Sequence, residues 1–154
     1  CERELKWLVM SINVNKSCCM RISPRFSFQC STISTVNGES LPWVTELRYL
    51  GVYFTSSRVF SCSMDQAKRA YYRALNVIFG KVGRIALDEV VLQLVSSKCL
   101  PILMYGTEAC KSKKSDIQSL DFAVNRFLMK LFKIANISVI QECVAFFNFK
   151  LPSA

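Results

Sequence analysis

The chain has 154 residues, 51% of them hydrophobic, which is enough to bury a core and excludes a disordered tail. Its 20 Lys/Arg against 11 Asp/Glu give a formal charge of +9 and point to an anionic partner, nucleic acid or an anionic membrane surface, against the plain alternative of a basic, solvated domain. Without histidine or a C-x-x-C pair a structural zinc site has little support, and no apolar run is long enough to cross a bilayer.

The eight cysteines are scattered, several inside apolar patterns, and read as free, mostly buried thiols of an intracellular protein. Cys1 leads straight into a helix-like stretch, which reads as part of a longer frame. Glu2 to Val9 is a short amphipathic helix, with Leu5, Leu8 and Val9 opposite Glu2, Arg3 and Lys6. The polar run 11–17 breaks it, and Cys18 to Ile22 follows as an apolar strand. Phe26, Phe28 and Cys30 alternate with Ser27 and Gln29, the period of a half-buried strand. Asn37-Gly38 is a tight-turn signal, and Leu41 to Val44 resumes a short apolar segment. Leu47 to Phe54 is the densest β-branched and aromatic stretch, read as the last hairpin before the helices, with Gly51 permitting close backbone approach.

From Ser61 onward the period changes from two to 3.6 residues. Ser61 to Phe79 predicts a helix with Met64, Ala67, Tyr71, Ala74, Leu75 and Ile78 on one stripe, and Arg69, Tyr72, Arg73 and Asn76 on another face. Gly80 and Gly83 mark its end. Leu87 to Met104 predicts a central apolar helix that Pro101 kinks or splits, closed by Tyr105-Gly106. After a basic loop at Lys111, Lys113 and Lys114, Ser115 to Gln118 has capping-box spacing. Ile117, Leu120, Val124, Phe127, Leu128 and Leu131 continue that helix, with Arg126, Lys130 and Lys133 on a different face. A last helix spans Ser138 to Phe147. The expected fold class is α+β: a short helix and small antiparallel β region over residues 1–56, then an all-α bundle of about four helices over 57–154.

Catalytic constellations are scarce. No Gly-rich phosphate loop, nucleophile–histidine pair or paired-carboxylate motif occurs. Asp65, Asp88, Asp116 and Asp121 sit near expected helix starts, where the macrodipole favours them. The positive features are basic. Residues 58–84 carry six Lys/Arg against Asp65, net +5, and residues 111–133 carry six against Asp116 and Asp121, net +4. Two basic helices with interleaved aromatics fit a phosphate backbone, and ordinary solvated faces are the competing account.

The order Ile12-Asn13-Val14-Asn15-Lys16-Ser17, a strand pair, and Tyr49-Leu50-Gly51-Val52 resembles the end of the palm of a non-LTR (LINE-type) retrotransposon reverse transcriptase. Cys99-Leu100-Pro101-Ile102-Leu103-Met104-Tyr105-Gly106-Thr107-Glu108 is similar to the Leu-Pro-x-Leu-x-Tyr-Gly-x-Glu stretch of that family's helical thumb region. The resemblance implies a palm end with a primer-grip-like hairpin over 1–56 and a thumb over 57–154. It implies that Lys16 matches the lysine proposed to protonate the leaving pyrophosphate, although on local grounds Lys16 is a surface lysine after a turn. Tyr49, Leu50, Gly51 and Val52 match the hairpin that grips the primer end, and a buried strand is compatible with the same residues. Arg69, Arg73, Arg126 and Lys130, off the apolar stripes, are the expected phosphate contacts.

The resemblance implies an RNA template and a DNA primer as partners, no membrane, an intracellular location with the nucleus as one option, and Mg²⁺ for the intact polymerase. The family's metal-binding aspartate pair and its fingers are absent from this chain, so the fragment alone is expected to bind no cofactor and to polymerise no DNA. The competing readings are a non-enzymatic basic nucleic-acid-binding module and an inactive remnant of such an element.

Overall fold

The computed structural model describes residues 2–82, 85–108 and 113–153, which fall into two units, Cys1–Cys62 and Ser63–Ala154. Gly83, Arg84, Cys110 and Lys111 lie outside the described residues. The architecture is α+β, small sheets followed by helices.

In the first unit, α1 covers Glu2–Trp7 and stops short of Val9, whose φ of 54° is left-handed. The Glu2 carboxylate accepts the Val36 N–H at 2.9 Å, tying α1 to a small hairpin. That hairpin pairs β1, Ile33–Ser34, antiparallel with β2, Ser40–Leu41. Its turn is the Asn37-Gly38 signal: Gly38 sits at φ 83°, and its N–H donates to the Thr35 carbonyl at 2.9 Å. β3, Glu46–Tyr49, pairs antiparallel with β4, Val52–Thr55, and β5, Ser61–Ser63, lies on the far side of β4. Leu50 and Gly51 join β3 to β4 with φ of 48° and 82°. Positive φ at both central residues is the two-residue type I′ geometry that suits strand twist.

Two expected strands do not form. Cys18 to Ile22 contributes only an isolated bridge between Cys19 and Trp43, and 26–30 holds the end of a turn, a bend at Phe28 and irregular chain, with Phe28 66% exposed. Alternation alone cannot make a strand that lacks a partner edge to hydrogen-bond with. Among the described residues of this unit no side chain is fully buried.

The helical unit holds the core. α2, Asp65–Lys81, starts later than Ser61 because Ser61–Ser63 is spent in β5, and it runs through Gly80 rather than ending there. Met64, Tyr71 and Leu75 of the expected stripe are buried, while Arg69, Tyr72, Arg73 and Asn76 are exposed. α3, Asp88–Leu94, leads through a π-helical turn, Val95–Cys99, into α4, Leu100–Met104. Pro101 has no N–H to give and its ring crowds the carbonyl four residues back, so the helix widens just ahead of it, with Leu100 N–H reaching the Val95 carbonyl. Gly106, at φ 84°, turns the chain after Tyr105.

α5, Lys114–Phe132, begins on Lys113, whose N–H donates to the Asp116 carboxylate at 3.1 Å. The cap is therefore Asp116 on Lys113 rather than one begun by Ser115. Leu120, Ala123, Val124, Phe127, Leu128 and Leu131 form its buried stripe, three to four residues apart. Asp121 is not at a helix start; mid-helix, it accepts the Ser153 N–H at 3.1 Å. α6, Ile137–Phe146, is capped by the Asn136 side chain, which accepts the Ser138 N–H at 2.9 Å. None of the helices among the described residues is long and apolar enough to cross a membrane. Cys18, Cys19, Cys30, Cys99 and Cys143 are free, but Cys62 is disulfide-bonded, which corrects the reading of every cysteine as a thiol.

One polar atom of the core is an orphan. The Tyr71 hydroxyl is buried without a hydrogen-bond partner. Burial first, then Cys99 and Tyr72 beside it, push its ionisation well above the usual phenol range. An unpaired buried hydroxyl costs about 1–3 kcal/mol. Tyr71→Phe is expected to raise the thermal midpoint of the helical unit, by a stabilisation of about 1 kcal/mol. A phenol whose folded pKa is raised contributes fully below about pH 10 and loses that contribution as pH rises through the folded value. Thermal scans at neutral pH and above about pH 10 should therefore show the variant's advantage growing at alkaline pH.

Candidate nucleic-acid interface

Helical periodicity puts Arg126 and Lys130 one turn apart on α5, and Lys133 closes the helix just beyond. The same arithmetic puts Tyr72, Asn76 and Phe79 on one face of α2. Both rows line a groove of about 600 Å³ within the helical unit, floored by Leu75 and Phe127. No acidic residue is among those lining it.

Contacts hold the groove's floor in place. Phe79 meets Phe127 edge-on at 5.7 Å between centroids, and the Lys130 ammonium lies 5.3 Å from the Phe79 ring. Arg126 lies over Phe122 at 5.9 Å. Tyr72 leans on Tyr71 at 5.6 Å and remains 39% exposed. The sole ion pair among the described residues is Lys68–Asp65, at 3.6 Å on α2, so the three groove cations are not neutralised by carboxylates. Arg126 and Lys130 at i, i+4 repel by a few tenths of a kcal/mol, which their cation–π contacts with Phe122 and Phe79 offset.

Lys133 carries a second cost. It sits at the α5 terminus with φ 57°, the left-handed conformation that favours glycine. The positive charge at a helix C-terminus offsets part of this. Lys133→Gly is expected to raise stability by up to about 1 kcal/mol while weakening polyanion binding. Thermal denaturation and a binding titration on the same preparation check both halves.

The remaining sequence-derived residues lie elsewhere. Arg69 and Arg73 are exposed on α2 but do not line the groove. Tyr49, Leu50, Gly51 and Val52 form the tip of the β3–β4 hairpin in the first unit, where Tyr49 is 61% and Leu50 73% exposed. The alternative of a buried strand at these residues is not what forms, because a hairpin tip projects from the sheet. Lys16 ends a 3₁₀ turn, Val14–Lys16, and is exposed in the same unit. No protein-family model matches the chain, and neither a curated protein nor a solved structure matches it. The interface rests on the chemistry of its own residues. Lys133, Tyr72, Asn76 and Phe79 are groove residues missing from the sequence-derived set, and their signal is the i, i+4, i+7 spacing that each row repeats.

Proposed function

We propose that the helical unit binds the backbone of a nucleic acid in the α2–α5 groove. The observation that carries this is the convergence of Arg126, Lys130 and Lys133, without a neutralising acid, on a groove whose opposite wall is Tyr72, Asn76 and Phe79. Cations beside aromatic and amide groups suit phosphates beside bases. The net charge of +9 adds long-range attraction for a polyanion.

In the wider reading, supported by the motifs around Lys16, Tyr49–Val52 and Cys99–Glu108, the chain is a palm-end and thumb piece of a LINE-type reverse transcriptase. Its partners are then an RNA template and a DNA primer, Mg²⁺ belongs to the intact polymerase, and its location is intracellular. Lys16 would act on the leaving pyrophosphate and the hairpin tip would grip the primer. A non-enzymatic nucleic-acid-binding module shares the groove chemistry without those roles.

The test is fluorescence anisotropy of the purified chain with labelled oligonucleotides across a salt series. Binding that weakens log-linearly with salt, with a slope near −2 for three phosphates on a single strand, supports the reading. No binding at about 50 mM salt refutes it, since counterion release is near its strongest there.

A further inference from the structure

We infer that the cavity beside Arg21 in the first unit is a binding site for a small anion built on a flat polar ring, the class to which a nucleoside monophosphate belongs. The cavity lies within residues 21–56, holds about 720 Å³, and shares no residue with the α2–α5 groove. Arg21 is the sole charged side chain lining it, and no carboxylate does. The guanidinium is held but not neutralised. Its Nε–H donates to Ser23 Oγ at 3.2 Å and an Nη1–H to Cys30 Sγ at 3.3 Å, and it makes no ion pair among the described residues. Uncharged acceptors leave the positive charge in place, and the fork's other N–H groups can meet a phosphate or carboxylate. The backbone behind it is tied as well: Ser56 Oγ donates to the Arg21 carbonyl at 2.7 Å, and the Ser56 N–H donates to the Thr45 carbonyl at 2.7 Å. Such cross-ties place the cation before a ligand arrives.

Trp43, Phe26 and Phe28 supply the ring surfaces, 39%, 42% and 66% exposed. Trp43 is fixed by its indole N–H, which donates to the Ser31 carbonyl at 3.0 Å, and by its backbone bridge to Cys19. Open aromatic faces beside an unneutralised cation select against two simpler ligands. Inorganic phosphate would use the cation and leave the rings untouched. An alkyl carboxylate would desolvate Thr32 and Gln29, which line the same cavity, without hydrogen-bonding them. A flat ring with polar edges stacks on the aromatic faces and hydrogen-bonds both. The volume falls within the roughly 300–1,000 Å³ of small-molecule sites.

The experiment titrates the whole chain by calorimetry with adenosine 5′-monophosphate and with nicotinate, the phosphate and carboxylate forms of that chemistry. Adenosine, inorganic phosphate and octanoate are controls lacking the anion, the ring or the polar edge. In a Trp7→Phe background Trp43 is the one remaining tryptophan, and its fluorescence locates the ligand. At least one ring anion is expected to bind with a Kd below about 1 mM, at least about tenfold more tightly than every control, with a change in Trp43 emission. Arg21→Gln should weaken it by about tenfold or more, and Arg21→Lys, which keeps the charge but not the fork, should recover part of the loss. Phe28→Ala, at an exposed position that keeps the test open if Arg21→Gln unfolds, should weaken it about 3- to 10-fold. A control that binds as tightly as the ring anions, binding that leaves Trp43 emission unchanged, or no binding of either ring anion overturns the inference. Each of these leaves the nucleic-acid reading of the helical unit standing.

Discussion

Reversal of Arg126, Lys130 and Lys133 to glutamate together is expected to reduce nucleic-acid affinity at least about 100-fold at about 50 mM salt. The same variant should lose about 2 units of the log–log salt slope, because three single-strand phosphates no longer release counterions. The three side chains are exposed and none donates to an ion pair among the described residues, so their reversal breaks no ion pair and costs the fold only the cation–π contacts of Arg126 with Phe122 and of Lys130 with Phe79, about 0.5–1 kcal/mol each. Glutamate at the α5 terminus opposes the macrodipole by about 0.3–1 kcal/mol, too little to unfold the helix. Reversal of Arg69 and Arg73 is the control. Those residues share α2 with the groove but do not line it, and their loss is expected to cost less than about tenfold. If both variants lose affinity equally, the charge acts as a diffuse field and the groove is not the site.

The second large effect is on the scaffold. Leu128 is 1% exposed and belongs to the α5 stripe that lies behind the groove wall. Leu128→Ala is expected to destabilise the helical unit by about 2–5 kcal/mol, combining lost transfer energy with the cavity left behind. Against the roughly 5–15 kcal/mol of a typical domain, this is a large fraction. With a urea slope of roughly 1.5 kcal/mol/M, the midpoint should fall by about 2 M. An unchanged midpoint would show that the core relaxes around the deletion and that α5 is not pinned by this stripe. The same substitution should weaken nucleic-acid binding near the new midpoint only, since it touches no groove cation directly.

The distribution of burial explains why both effects fall in the helical unit. Every fully buried side chain among the described residues lies at or after Met64. The first unit relies on backbone pairing, turn geometry and side-chain hydrogen bonds such as Ser56 Oγ to the Arg21 carbonyl at 2.7 Å. Its exposed apolar residues, Trp7 at 81% and Val9 at 95% among them, are consistent with a segment whose α1 has no buried face.

Local physics makes much of this chain legible in the sequence alone. The 3.6-residue stripes of α2 and α5 name Tyr71, Leu75, Leu120, Val124, Phe127, Leu128 and the exposed arginines, because burial along a helix is set by its own period. Asn37-Gly38 signals a reversal because glycine accepts the positive φ that such a turn needs, whereas Leu47–Phe54 reads as a continuous strand-forming stretch with Gly51 as a point of close approach, and the turn at Leu50 and Gly51 that splits it comes from the pairing of β3 with β4. Pro101 announces a disturbance of its helix, and the missing N–H makes one necessary, though not its form as a π turn. What periodicity cannot decide is which face meets which. The strand expected at 18–22 shrinks to the Cys19–Trp43 bridge and the one at 26–30 does not form, because a strand needs a partner edge along its length and neither an apolar run nor alternation names that partner. The groove is of the same kind. Its two rows are written about fifty residues apart, each legible as an exposed face, and only the packing of α2 with α5 brings Tyr72, Asn76 and Phe79 opposite Arg126, Lys130 and Lys133. Helical faces are local properties of the chain, and a site made between two of them is decided by the long-range contacts that dock the helices.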